Sequence, residues 1–320
     1  MNAIEVVGFG AMNMDQIYGV ERILTDGEAP VAEFRLSPGG SAANTIYSLA
    51  KLGVGTGFIG AVGDDEEGKM LLKDLETVGV FTGQIKVKKA KTGSTLCLTD
   101  RQGRRALYVL PGANSLLASE DIDLAYINQA KMLHLSSFAD EGQLGVQKQL
   151  MERMSPSIKV SFAPGSIYAA RGLEVIAPII ERTHILFLNR KEAEELTGED
   201  FQRGAQKFLK QGCQIVAITL GEGIGIGNTV ATCYLIGEQG EYMIQAKRAR
   251  KEPEGDTTGA GDAFAAGFLY GFLGGKGLEE CGYLGDLVAR LSTTKIGARA
   301  GLPSLQELEQ RYKQLHRKPL

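Results

Sequence analysis

Residues 256–262 read Asp-Thr-Thr-Gly-Ala-Gly-Asp, and an apolar run of helical character, about 263–273, follows at once. Glycines on either side of Ala260, just before a helix, predict a tight turn over 259–262. Such a turn points unpaired backbone N–H groups outward. Together with the positive end of the helix dipole they suit an anion such as a phosphate. A carboxylate closing an anion cradle repels phosphate unless its task is to take a proton from an incoming hydroxyl. That is the general-base role in phosphoryl transfer. The same residues also read as an ordinary helix start, with Asp262 as a first-turn acid and the glycines as turn formers.

Four other segments place small or polar residues at the ends of apolar runs, where an α/β sheet presents ligands. Asn13 and Asp15 follow the run 4–9. A carboxylate there can accept two hydroxyl hydrogen bonds, which selects polyols; the alternative is a turn acid. Gly39 and Gly40 precede Ser41 and Asn44 at a helix start. They allow close backbone approach to a ligand, or form a loop with Ser41 as N-cap. Asn189 and Glu192 follow the run 185–188, and their three-residue spacing puts both on one helix face, a spacing that also fits a capping box. Thr219, Gly221 and Gly223 follow the run 215–219. They would let a nucleotide lie against backbone, or make a glycine-rich turn.

These segments need a scaffold, and the alternation of short apolar runs with helical patterns supplies one. The runs 4–9, 56–61, 132–135, 158–162, 185–188 and 215–219 predict strands. Helical patterns cover 42–52, 66–78, 143–154, 173–181, 191–196 and 201–210. The alternation predicts a mostly parallel sheet with helices on both faces, an α/β fold. Two stretches break it. Residues 17–36 are rich in turn formers, and 93–110 read as a hairpin around 100–103. Both are expected to form a small inserted sheet. Hydrophobic residues make up 43% and charged residues 23% of the 320, with a net charge of −3. That balance gives no reason to expect nucleic acid or a membrane surface as partner. Four cysteines lie far apart, no signal peptide is apparent and no apolar run reaches membrane-spanning length, so a cytoplasmic protein with reduced thiols is expected. The G-x-G-x-x-G at 55–60 follows a helix and enters a strand, the reverse of a dinucleotide-binding turn. The acidic stretch 63–70 is a helix start and not a Walker loop.

The stretch 256–268, DTTGAGDAFAAGF, closely resembles the C-terminal signature of the ribokinase family, the PfkB carbohydrate kinases. The resemblance covers most of the chain and implies one ribokinase-like domain over 1–320. It also implies a β-sheet lid built from about 13–38 and 86–112, often the dimer contact. It implies an ATP-dependent kinase acting on the hydroxymethyl group of a sugar, or on an adenosine-like nucleoside; an inactive ligand sensor is the alternative from another class. In this likeness Gly259, Ala260 and Gly261 form the anion hole and Asp262 is the base. GAMNMD at 10–15 and GGSAAN at 39–44 are similar to acceptor-binding patterns, which carries over Asn13, Asp15, Gly39, Gly40 and Asn44; PGAN at 111–114 adds Asn114. The family's N-x-x-E places Asn189 at the nucleotide and Glu192 at magnesium, held largely through water. Thr219, Gly221, Gly223 and Gly261 fall to the nucleotide. Asp256 and Thr258 match positions that in many relatives hold a monovalent cation such as potassium. Gly297-Ala298 resembles the segment closing the adenine pocket. Two departures stand out: Ala163 replaces a frequent Asp, and 252–255 reads as an extra turn.

Overall fold

The computed structural model describes residues 3–102, 104–247, 256–316 and 320. The extra turn at 252–255 lies outside them. In chain order the strands are β1 (Val6–Phe9), β2 (Asn13–Val20), β3 (Val31–Gly39), β4 (Thr56–Gly63), β5 (Phe81–Lys88), β6 (Gly93–Asp100), β7 (Arg105–Leu110), β8 (Met132–Ser136), β9 (Lys159–Ala163), β10 (Ile185–Asn189), β11 (Ile215–Ile226), β12 (Thr229–Gly237) and β13 (Gly240–Lys247). The helices are α1 (Ser41–Lys51), α2 (Glu66–Thr77), α3 (Leu124–Ile127), α4 (Glu141–Arg153), α5 (Gly165–Ala169), α6 (Leu173–Ile180), α7 (Arg190–Thr197), α8 (Phe201–Lys210), α9 (Ala260–Leu273), α10 (Leu278–Ser292) and α11 (Leu305–His316).

Nine strands form one sheet in the order β13-β12-β11-β10-β9-β8-β1-β4-β5. From β11 to β5 every neighbour pair is parallel, and β12 and β13 join antiparallel at one edge. Parallel strands covered by helices bury both faces, hence their continuous apolar runs. Alternation sends Val7 and Phe9 into one apolar cluster and Val6 into the other. The α/β expectation is met, with three strands unanticipated: β5, β12 and β13. β5 alternates polar and apolar residues at a sheet edge, a weaker signal than a buried run, and β12 and β13 form the antiparallel edge outside the strand–helix rhythm. Residues 220–223 do not end their strand. β11 runs on to Ile226, and its pairing with β12 slips between Thr219 and Ile224.

The second sheet has four strands in the order β3-β2-β6-β7. It contains the two stretches that break the α/β rhythm, and its hairpin β6–β7 pairs Thr99 with Arg105. Because β2 leaves directly from β1 and β3 leads into α1, this sheet stands over the carboxyl end of β1. The start of α2 disposes of the acidic stretch 63–70: Asp65 caps the helix, accepting the Gly68 N–H at 3.0 Å, and is not a phosphate cradle. All four cysteines are free and buried. His134 is buried in the core against Ser161, and desolvation pushes its pKa down to about 3.

Candidate active site

α9 begins with Gly259 in the left-handed region, φ 74°. A Cβ there would also meet Ala298 Cβ at 2.7 Å, so glycine is required on two counts. The Ala260 N–H turns back to the Thr257 carbonyl at 3.2 Å. The next amides, of Gly261 and Asp262, stand in the first helical turn where no intrahelical acceptor exists. The Asp262 side chain does not cap its own helix. It crosses to α1: Ser41 Oγ donates to Oδ1 at 2.6 Å and Asn44 Nδ2 donates to Oδ2 at 2.9 Å. Thr45 Oγ1 donates to the Asp262 carbonyl at 3.3 Å. Burial pushes the Asp262 pKa up to about 6, against the pull of the Ser41 and Asn44 hydrogen bonds and the Arg299 charge. Residue 262 as a whole is only partly buried.

The acceptor candidates converge on the same end of α1. Asn13 and Gly39 are paired across β2 and β3, and Asp15 pairs with Ser37 and Thr95. A Cβ on Gly39 would overlap the Asp15 carboxylate, which is why glycine stands there. Burial raises Asp15 to about 6, with a Thr95 hydrogen bond and Arg299 opposing and the Asp262 charge adding to the rise. Gly40 is the N-cap of α1, so Ser41 is the first helical residue and is free to reach Asp262. Asn114 has a different place from the other acceptor candidates. It is 2% exposed. Its Oδ1 accepts the Met12 N–H at 2.9 Å, and its Nδ2 reaches the Met12 and Pro111 carbonyls and Asn13 Oδ1 within 2.9–3.0 Å. Its polar atoms are spent on the β1–β2 junction.

On the other side, Asn189 and Thr219 are neighbours across β10 and β11. Asn189 and Glu192 form a reciprocal capping box, with hydrogen bonds of 2.9 and 3.0 Å. Burial raises the Glu192 pKa, and the negative Asp262 adds to the effect. Gly221 and Gly223 both have positive φ, at the slip between β11 and β12.

Asp256 closes the loop before α9. Its Oδ1 accepts from the Thr258 N–H and Oγ1, at 2.9 and 2.6 Å, and Oδ2 accepts the Gly297 N–H at 2.8 Å. From β7, Arg105 donates to Thr258 Oγ1 at 2.5 Å and Thr257 Oγ1 at 3.0 Å, and lies 3.7 Å from Asp256. Protein donors and a guanidinium already satisfy these side chains. As arranged, Asp256 and Thr258 do not fit potassium, and no step below passes through it.

Residues 3–305 match the family model described as pfkB family carbohydrate kinase. The chain belongs to the PfkB family of carbohydrate kinases. As a family member it is a phosphotransferase with an alcohol acceptor. An "uncharacterized sugar kinase" of Archaeoglobus fulgidus is 40% identical over 259 residues, 80% of this chain and 98% of that one. An ATP-dependent ribose-1-phosphate kinase of Halopiger xanaduensis is 30% identical over 93% of this chain and 94% of its own. Among solved structures, ribokinase from Thermotoga maritima superposes with a TM-score of 0.82 at 26% identity, covering 97% of this chain and 99% of that one. The PfkB fold thus accounts for both sheets. Three site residues escaped sequence reasoning: Ser41, weighed there only as a possible cap, and Arg105 and Arg299, which no local pattern marks.

Proposed function

We propose that this PfkB kinase transfers the γ-phosphoryl group of ATP to a hydroxymethyl group of a sugar, with Asp262 as the general base. The observation that carries the reading is the crossing of Asp262 from α9 to Ser41 and Asn44 on α1. A mere first-turn acid would serve its own helix; this one is held by two donors from another helix, beside the amides of its own first turn.

The acceptor hydroxyl approaches from the Asp15 side, where Asp15 accepts hydrogen bonds from neighbouring hydroxyls. Its proton passes to an Asp262 oxygen as the hydroxyl oxygen bonds to the γ-phosphorus and the bond to the β-phosphate oxygen breaks, releasing ADP. Ser41 and Asn44 keep the carboxylate aimed and ionised, because both donate to its charged form. The Gly261 and Asp262 amides receive charge developing on the phosphoryl oxygens. Glu192, through water, would hold magnesium, which when bound supplies neutralising charge to the phosphates. Asn189, Thr219, Gly221 and Gly223 line the nucleotide side. The four-stranded sheet is the lid that excludes water. Its outer face exposes Phe34, Leu36, Tyr108 and Leu110, each between 46% and 64%, which supports pairing with a second copy. The free, buried thiols support a cytoplasmic setting.

Asp262→Asn tests the assignment. It should retain ATP binding while turnover falls by about 10²–10⁴-fold, the range typical of lost general-base catalysis. Turnover near wild type would remove Asp262 from that role. An ADP-release screen over sugars and nucleosides names the acceptor: sugars alone support the reading, nucleosides alone redirect it within the family, and no turnover with any acceptor favours a sensor.

A further inference from the structure

Arg299 is a charged side chain with 7% exposure, in the segment that follows α10. Removing a guanidinium from water is tolerated only where its donors are matched. Here they are matched by three elements of the site. Nη1 pairs with Asp74 of α2, Nε donates to Asn44 Oδ1 at 2.9 Å, and Nη2 donates to the Gly39 carbonyl at 3.3 Å. The guanidinium lies over the Tyr47 ring, 5.0 Å from its centroid.

The contact with Asn44 decides more than packing. The two ends of an Asn amide have nearly the same shape, so their orientation follows from their partners. Arginine has donors and no acceptor, so it can bond only the oxygen end. With Oδ1 held by Arg299, Nδ2 must face Asp262, as observed. The flipped amide would set its oxygen against the carboxylate and its NH₂ against the guanidinium, unfavourable on both sides.

We propose that Arg299 is a positioning residue for phosphoryl transfer: it fixes the Asn44 amide so that Nδ2 donates to the Asp262 base, and it ties the Gly39 end of the small sheet to the same fork. The inference rests on Asp262 being the base. Lysine cannot replace it, since a point charge does not hold two differently placed oxygens in one plane. The groups facing Asp262 are Ser41 and Asn44 from α1, Glu192 from α7, Asp15 from β2, and Arg299 itself. Without the arginine the remaining charges are negative and the Asn44 donor is free to turn, so ionised Asp262 is disfavoured.

The test measures kcat and both KM values of Arg299→Met and Arg299→Lys in the full chain from pH 5 to 9, using whichever acceptor the wild type turns over. Arg299→Met should lose about 10- to 100-fold in kcat, the scale of one lost hydrogen bond to a charged group, with KM for ATP little changed. The acid limb of its kcat profile should move to higher pH. Arg299→Lys should recover most of the acid limb and little of kcat. In an Asn44→Ala background, Arg299→Met should add almost no further loss, because the two act through one bond. A wild-type kcat and acid limb in Arg299→Met, or full additivity with Asn44→Ala, overturns the proposal. Should Arg299→Met fail to fold, Arg299→Lys decides alone: wild-type kcat at a near-native melting temperature overturns it, and a kcat loss at that temperature upholds it. Asp262→Asn run in parallel separates the two readings. An active Asp262→Asn removes the base itself; an inactive one with a normal Arg299→Met removes only the role of Arg299.

Discussion

β1 and β4 of the nine-stranded sheet are buried at every position, whereas β3 of the four-stranded sheet is exposed from Val31 to Leu36. Helices cover the first sheet on both faces; among the described residues nothing covers the outer face of the second. The two carboxylates that matter divide along the same line. Asp262 stands on α9, whose side chains are buried nearly all round, while Asp15 stands on β2 of the small sheet. Both are driven up to about 6 by desolvation. The difference lies in what holds them: Asp262 has two side-chain donors from a buried helix, and Asp15 has Thr95 from a neighbouring strand of its own, more exposed sheet. On this division the large sheet fixes the chemistry and the small sheet decides which acceptor enters.

The sharpest way to break that division is Asp15→Asn. If Asp15 recognises the acceptor, it loses a charge-assisted hydrogen bond, about 1.5–3 kcal/mol or roughly 10- to 100-fold. The loss should fall on kcat/KM for the acceptor, with KM for ATP unchanged. A loss confined to kcat at saturating acceptor would place Asp15 in the chemical step and erase the distinction.

A smaller effect is expected at the contact between the small sheet and the loop before α9. Arg105 of β7 reaches Thr257, Thr258 and Asp256 just before the anion-binding turn. The contact is partly exposed, so Arg105→Ala should cost about 1 kcal/mol or less, up to about fivefold in kcat/KM. The informative readout is cation dependence. Replacing potassium chloride with tetramethylammonium chloride should leave the wild type unaffected and slow the variant. Equal sensitivity in both would show that the guanidinium does not supply the charge beside Asp256.

The same division explains what was legible in the sequence. Buried parallel strands announce themselves as apolar runs, and β1, β8, β10 and the start of β11 were readable for that reason. β5, written FTGQIKVK, is half polar because it is an edge strand, and its alternation does not stand out. At 220–223 the glycines imitate a turn, yet the strand resumes after the slip in register. Asp262, Asn44 and Asp15 were marked by their motifs, and the structure brings Asp262 and Asn44 into a hydrogen bond. Ser41 was weighed only as a possible cap, because local sequence cannot announce a bond to a residue 221 positions away. Arg299, 255 positions from Asn44, left no signal at all. A general base needs a local turn and therefore a local motif; the groups that aim it are recruited by the fold.

The smallest effect on chemistry should come from the outer face of the small sheet. Register places Leu36, Gln16, Leu96 and Tyr108 in one cross-strand row and Phe34, Tyr18, Leu98 and Ala106 in the next. Asp15, Thr95 and Arg105 alternate to the opposite, inner face. Apolar area on the outer face gains about 25 cal/mol per Å² when a partner covers it, and a carboxylate placed there must be desolvated unpaired. Leu110→Asp, at a position 64% exposed, should therefore split a dimer into single chains in sedimentation runs at micromolar concentration. Turnover per chain should stay within about twofold, as is usual for surface substitutions. If the wild type already sediments as a single chain, the exposed row has another purpose. If instead the variant loses turnover together with its partner, the second copy is holding the lid in place, and the small sheet acts on the chemical step through the assembly as well as choosing the acceptor.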